Sequence, residues 1–131
     1  MNKEVEIVRE IYAALNRNEI PKVMEFLDPD IVRIEFEGSP MAGTFRGLQE
    51  LEAHFSQGRN SWAEGTCEPE KLLIGKDKVM AFVHVRVRLK DQQEWLEGDT
   101  GDVFTFRNGK VIEFRTFADT KEALKWSGIK E

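Results

Sequence analysis

At 131 residues the chain has the length of one domain, spanning 1–131, and can bury roughly two thirds of the surface its unfolded form exposes. Its 24 acidic and 19 basic residues leave a formal net charge of -5 with no basic block, which argues against a nucleic-acid surface and points to small molecules or a second copy of the chain as partners. Cys67 is the single cysteine, so an intramolecular disulfide and a cysteine zinc cluster are excluded. The charged start MNKEVEIVRE offers no apolar signal region, and no run nears the ~18 apolar residues of a membrane span. A cytoplasmic protein without membrane contact is expected.

In chain order, residues 3–17 repeat apolar groups at Val8, Ile11, Tyr12 and Leu15, a helical stripe that Asn2 can cap. Pro21 suits the first turn of a short second helix through Val23, Met24, Phe26 and Leu27, which Asp28-Pro29-Asp30 should end. Residues 31–37 read as a strand, and the glycine-punctuated stretch up to Gly47 as a loop. Leu48, Leu51 and Phe55 fall on one face of a third helix ending near Gly58. Strand patterns then occupy 66–73, 79–89, 95–106 and 111–117, with Gly75-Lys76-Asp77 and Asn108-Gly109 as turns of an antiparallel meander. Asp119 can cap a last helix, with Glu122 reaching back to it, that runs through Leu124 to Gly128. Helices first and strands afterwards predict an α+β fold with the sheet packed against the helices.

This order, with DPDIVRIEFEG, PMAGTFRG and VFTFRNGKVIEFRTFAD, resembles the SnoaL-like branch of the nuclear transport factor 2-like superfamily over nearly the whole chain. The resemblance implies a curved, mainly antiparallel sheet wrapped around N-terminal helices into a cone with an apolar pocket, commonly dimeric. Members include ketosteroid isomerases, polyketide cyclases, epoxide hydrolases, dehydratases and noncatalytic binding domains, so the fold leaves the reaction open. Laid without gaps against the isomerases, their base aspartate falls on Glu35 and their oxyanion aspartate on Asp102. Their oxyanion tyrosine falls on Ile11, with Tyr12 one residue further and turned roughly 100° around the helix.

Strand parity tests the two acids. Asp102 shares a face with Phe104 and Phe106, so an aromatic-lined interior would bury its carboxyl and raise its pKa; at the strand mouth it would instead be solvated or paired with Arg107 or Arg115. Arg33, Glu35 and Glu37 share the face opposite Val32, Ile34 and Phe36, and ordinary burial would turn the apolar face inward. Glu35 reaches a pocket if that apolar face makes a dimer contact outside the sheet, or if a bulge shifts the register. Facing apolar walls, it could serve as a general base.

His54 follows Leu51 at helical spacing, and is either a base or ligand contact or a boundary histidine bonded to backbone; His84 reads as an outer-face residue. Thirty residues apart and without a paired-ligand spacing, the two histidines suggest no metal site. Phe45, Phe55, Trp62, Trp95, Phe104 and Phe114 could line a cavity for a ring-shaped or isoprenoid ligand, with Trp62 and Trp95 at its mouth, or be core. Cys67 reads as an inert strand residue. No nucleophile motif, phosphate-binding loop or dinucleotide fingerprint appears, and no cofactor is expected. Two functions follow: a cofactor-independent isomerase, lyase, cyclase or hydrolase using Glu35 and Asp102 on a small apolar carbonyl or epoxide compound, or a noncatalytic ligand-binding or dimerisation module, a homodimer through the sheet.

Overall fold

The computed structural model describes residues 2–131. Helix α1 (Lys3–Asn16) starts where the Asn2 side chain accepts from the Glu4 and Val5 N–H groups at 2.8 and 3.1 Å, and it buries Val8, Ile11, Tyr12 and Ala14. The chain turns back at Asn18, whose φ is +59°, into the short helix α2 (Ile20–Met24) with Pro21 in its first turn.

Strand β1 (Leu27–Glu35) begins four residues before its predicted start and takes in Asp28-Pro29-Asp30, which was expected only to stop a helix. The stretch is tolerated because pairing with the neighbouring strand is irregular between Leu27 and Val32, where a proline without an N–H breaks no ladder bond. Asp28 Oδ1 meanwhile accepts from the Asp30 N–H at 2.8 Å. A further strand, β2 (Gly43–Arg46), lies where a loop was expected; its four residues are too short to show a period, yet they pair antiparallel with Val32–Glu35. Helix α3 (Gly47–Asn60) follows directly.

The meander is longer than its pattern suggests: β3 (Trp62–Ile74), β4 (Lys78–Leu89), β5 (Leu96–Arg107) and β6 (Lys110–Phe117). Irregular pairings after Trp62 and Pro69 bend β3 with the curve of the sheet. Asn108 and Gly109, at φ +52° and +81°, form the tight turn between β5 and β6. Helix α4 (Thr120–Ser127) opens on Asp119, which accepts from the Lys121 N–H, and ends on Gly128 at φ +73°.

One six-stranded sheet results, in the order β2-β1-β6-β5-β4-β3, antiparallel throughout except for the parallel pair β1 and β6. Its inner face packs on the first three helices through Val8, Ile11, Ile31, Leu51, Val83 and Phe104. The outer face carries α4, with Ala123 and Ile129 on Met80 and Val103. Gly101 permits this close seat, because a Cβ there would stand 2.6 Å from the Ala123 Cβ. On the free edge of β3, the Asn16 side-chain amide satisfies the backbone of Cys67, donating to its carbonyl and accepting from its N–H, each at 2.9 Å. No helix among the described residues is long and apolar enough to cross a membrane.

Candidate functional site

A cavity of about 500 Å³ lies between the inner face of the sheet and helices α1 and α3, with the 36–42 loop at its mouth. Both acids singled out by resemblance line it, each in a different electrostatic setting.

Asp102, on β5, is 5% exposed. The Tyr12 hydroxyl, from α1, donates to its Oδ2. Burial drives the Asp102 pKa up; the Arg33 charge, the Tyr12 hydroxyl and neighbouring Thr116 offset this only in part, and the net direction is upward. Burial, followed by the Asp102 charge, likewise pushes Tyr12 well above the usual phenol value. The gap-free placement is thereby corrected: Ile11 is buried in the core at 1% exposure, and the side chain that reaches Asp102 is Tyr12. One residue along a helix is a turn of about 100°, so a single-residue offset decides which side chain enters the cavity.

Glu35 ends β1. Its Oε2 accepts from His54 Nε2 at 2.7 Å and lies 3.4 Å from an Arg33 terminal nitrogen, while Oε1 accepts from the Ser39 hydroxyl at 2.8 Å. Burial alone would raise the Glu35 pKa, but His54, the Arg33 charge and Ser39 together hold it below the ordinary carboxylate value. Because the carboxylate can only accept, Nε2 of His54 carries the proton. The expectation that the apolar face of β1 turns inward is overturned here. Ile31, Arg33 and Glu35 face in, whereas Val32 and Ile34 lie half-buried on the outer side, and Phe36, just past the strand, joins the cavity wall. No bulge at Glu35 is needed, since Val32 to Ile34 stay in regular register with both neighbours. The inward polar groups are accommodated by one another: Arg33 is 6% exposed, donates to the Ile34 and Phe114 carbonyls at 2.9 and 3.1 Å, and lies 3.9 Å over the Phe114 ring.

The aromatic candidates separate into three groups. Phe55, Trp62 and Phe114 line the cavity, Trp62 beneath the Arg59 guanidinium at 4.7 Å. Arg59 also donates to the Leu15 and Asn16 carbonyls, joining α3 to the end of α1. Phe45 and Phe104 stand behind the wall: Phe45 stacks on His54 at 3.9 Å between centroids, and Phe104 is fully buried core, stacked on Phe114 at 4.2 Å. Trp95 is not among the cavity-lining residues, although its neighbour Leu96 is; its ring is covered by Arg86 at 3.9 Å, so its expected place at the mouth is corrected. Cys67 lines the cavity, and burial, then the Asp102 and Glu35 charges, push its thiol up to about 12.

His84 sits on the outer side and bonds Asp99 and Glu97, each at 2.9 Å. Ligand-type atoms of Glu70, His84 and Asp99 fall within 4.8 Å of one another there, a grouping that linear spacing does not reveal because it spans three strands. Sequence reasoning also passed over Arg33 and Ser39 as site residues. Arg33 shares strand parity with Glu35, a signal that was present, whereas Ser39 enters through a loop, which has no period to read.

The open, curved, mostly antiparallel sheet packed on helices is an α+β architecture shared with nuclear transport factor 2-like structures. A model of the SnoaL-like domain matches residues 8–114, and the chain belongs to that family. Among solved structures it is similar to a nuclear transport factor 2-like protein of Burkholderia thailandensis (26% identity, 95% of this chain and 98% of that chain, TM-score 0.81). A nuclear transport factor 2-like protein of Burkholderia xenovorans is similar at 27% identity, over 94% of both chains, with a TM-score of 0.77. TerC, co-crystallized with polyporic acid, shares the fold at 18% identity, 95% of this chain and 97% of that chain, TM-score 0.79. No curated protein matches the chain.

Proposed function

We propose that the chain is a cofactor-independent acid–base enzyme acting on a small, uncharged carbonyl or epoxide compound. The observation that carries this reading is that two carboxyl groups lining one cavity are driven in opposite directions, Glu35 towards the ionised form and Asp102 towards the protonated one. Such a divergence separates a base from an acid. Oδ2 of Asp102 accepts from Tyr12, so the proton that burial favours on this acid would sit on Oδ1, from where it would donate to a ligand oxygen. On a carbonyl compound Glu35 would take a proton from the adjacent carbon, Asp102 would hydrogen-bond the developing enolate oxygen, and Glu35 would return the proton at a second carbon. On an epoxide Glu35 would take a proton from the attacking water while Asp102 protonates the opening oxygen.

A second reading has its own support. Both Glu35 oxygens already have protein partners, as a structural carboxylate would, and a noncatalytic ligand-binding module on this scaffold fits that arrangement. A screen of uncharged ketones and epoxides with the wild type, Glu35→Gln and Asp102→Asn separates the two. Turnover lost in both variants, with the fold retained, supports the enzyme; saturable binding without turnover supports the module. A homodimer through the outer face of the sheet, where Val32 and Ile34 lie half-buried, belongs to either reading, and sedimentation at dilute concentration tests it.

A further inference from the structure

Residues 36–42 form the loop of the β1–β2 hairpin and cover the cavity mouth with Phe36, Ser39, Pro40 and Met41. Two glycines at positive φ lie at the loop's start and end, Gly38 at +101° and Gly43 at +135°. The backbone bonds inside it, Ser39 N–H to the Phe36 carbonyl and Ala42 N–H to the Ser39 carbonyl, both at 3.1 Å, hold its shape without tying it down. Among the described residues the side-chain hydrogen bond that joins this flap to the site is the one from Ser39 Oγ to Glu35 Oε1, at 2.8 Å.

The partners of the two Glu35 oxygens are unequal. Each carboxylate oxygen has two lone-pair sites. Oε2 faces two nitrogens, His54 Nε2 at 2.7 Å and Arg33 at 3.4 Å, whereas Oε1 accepts from Ser39 alone. A proton arriving at Glu35 therefore lands on Oε1, the oxygen that holds the flap. An ionised acceptor binds a hydroxyl about twice as strongly as a neutral one. We infer that Ser39 is a latch that couples the proton on Glu35 to the flap: held tightly by the ionised carboxylate, and more weakly when Oε1 is protonated and the bond joins two neutral groups.

The inference rests on Glu35 as the proton-accepting group, and gives Ser39 a positioning role in which proton uptake loosens the mouth. The groups facing Glu35 are Arg33 on β1, His54 on α3, Asp102 on β5 and Cys67 on β3, with Tyr12 on α1 behind Asp102. With its thiol pushed up to about 12, Cys67 stays neutral across the acid range, which leaves Asp102 as the carboxyl whose titration is to be told apart from that of Glu35.

The test uses the whole chain at pH 7 and follows amide hydrogen exchange of residues 37–42, corrected for intrinsic rates, with α4 amides as an internal control of folding. Glu35→Gln, which mimics the neutral carboxyl, should speed flap exchange roughly fivefold, the weight of one ordinary hydrogen bond. Ser39→Ala should do the same and Ser39→Thr should restore protection, while α4 exchange is unchanged in all three. In the wild type, a carbon-detected titration should show the flap amide shifts moving at the Glu35 midpoint, and in Ser39→Ala that coupling should vanish. Flap exchange unaltered in Glu35→Gln, or a flap that still follows the Glu35 midpoint in Ser39→Ala, overturns the latch. Flap release in a protein that binds ketones but turns none over leaves the latch standing and removes the enzyme reading, so the two failures are distinct.

Discussion

The Tyr12 hydroxyl, at the middle of the first helix, donates to the carboxyl of Asp102, ninety residues further along the chain. Both groups are buried, so each depends on the other to satisfy its hydrogen-bonding capacity. Tyr12→Phe leaves Oδ2 of Asp102 without its donor and should cost about 1–3 kcal/mol of stability, read from urea denaturation. Loss well below that range would show that the bond is not formed in solution.

The two acids impose opposite dependences of stability on pH. Glu35 has a folded pKa below its ordinary 4.5, so the stability it contributes is complete above that value and drains as pH falls through the folded pKa. Asp102 has a folded pKa above its ordinary 3.8, so its contribution is complete below that value and is lost as pH rises through the folded pKa. Urea midpoints from pH 3 to 7 should accordingly show a shallower acid-side loss in Glu35→Gln. In Asp102→Asn the decline on the way up from about pH 4 should disappear; a slope identical to wild type there removes Asp102 as its source.

Cys67 should be nearly unreactive. With its thiol at about 12, roughly one molecule in 10⁴ carries the thiolate at pH 8. A disulfide-exchange reagent should modify the native protein orders of magnitude more slowly than the urea-unfolded chain. Rapid native modification would mean that the β3 side of the cavity is open and polar.

Gly101 should not tolerate a methyl group. Alanine there places a Cβ 2.6 Å from that of Ala123 and 3.3 Å from the end of Met80, an overpacking that should cost about 1–3 kcal/mol as α4 is pushed off the sheet. Thermal unfolding measures it, and Trp126 on α4, which packs against Phe117, gives a local fluorescence signal of the shift.

What could be read from sequence follows from where the information resides. The first helix was legible because its apolar stripe is long and Asn2 stands at the cap, and the last hairpin because Asn108-Gly109 suits the positive φ values its turn requires. Strand β2 was not, since Gly43–Arg46 is shorter than any pattern, and β1 was clipped because Asp28-Pro29-Asp30 looks like a stop. The candidate site was legible as residue types: both carboxyl groups and His54 lie at the cavity. Parity with Phe104 and Phe106 also gave the inward orientation of Asp102, but not that of Glu35, because its burial against parity depends on Arg33 and His54, partners that only tertiary structure supplies. Trp95 was misplaced for the converse reason, having been judged from its sequence neighbours rather than from the Arg86 that covers it.

The parallel pairing of β1 with β6 also bears on how the molecule is made. Arg33 reaches the Phe114 carbonyl across 81 residues, so this closure waits until almost the whole chain has been synthesised. Contacts of such long range are slow to form, because the entropy of a large loop must be overcome before any of its pairings stabilise it. The helices and the β3–β5 hairpins can form earlier, but the wall carrying Glu35 is set against the wall carrying Asp102 only when β6 slots between β1 and β5. Folding intermediates lacking that strand would have neither cavity nor paired carboxyl groups, and binding competence should therefore emerge together with the final cooperative step.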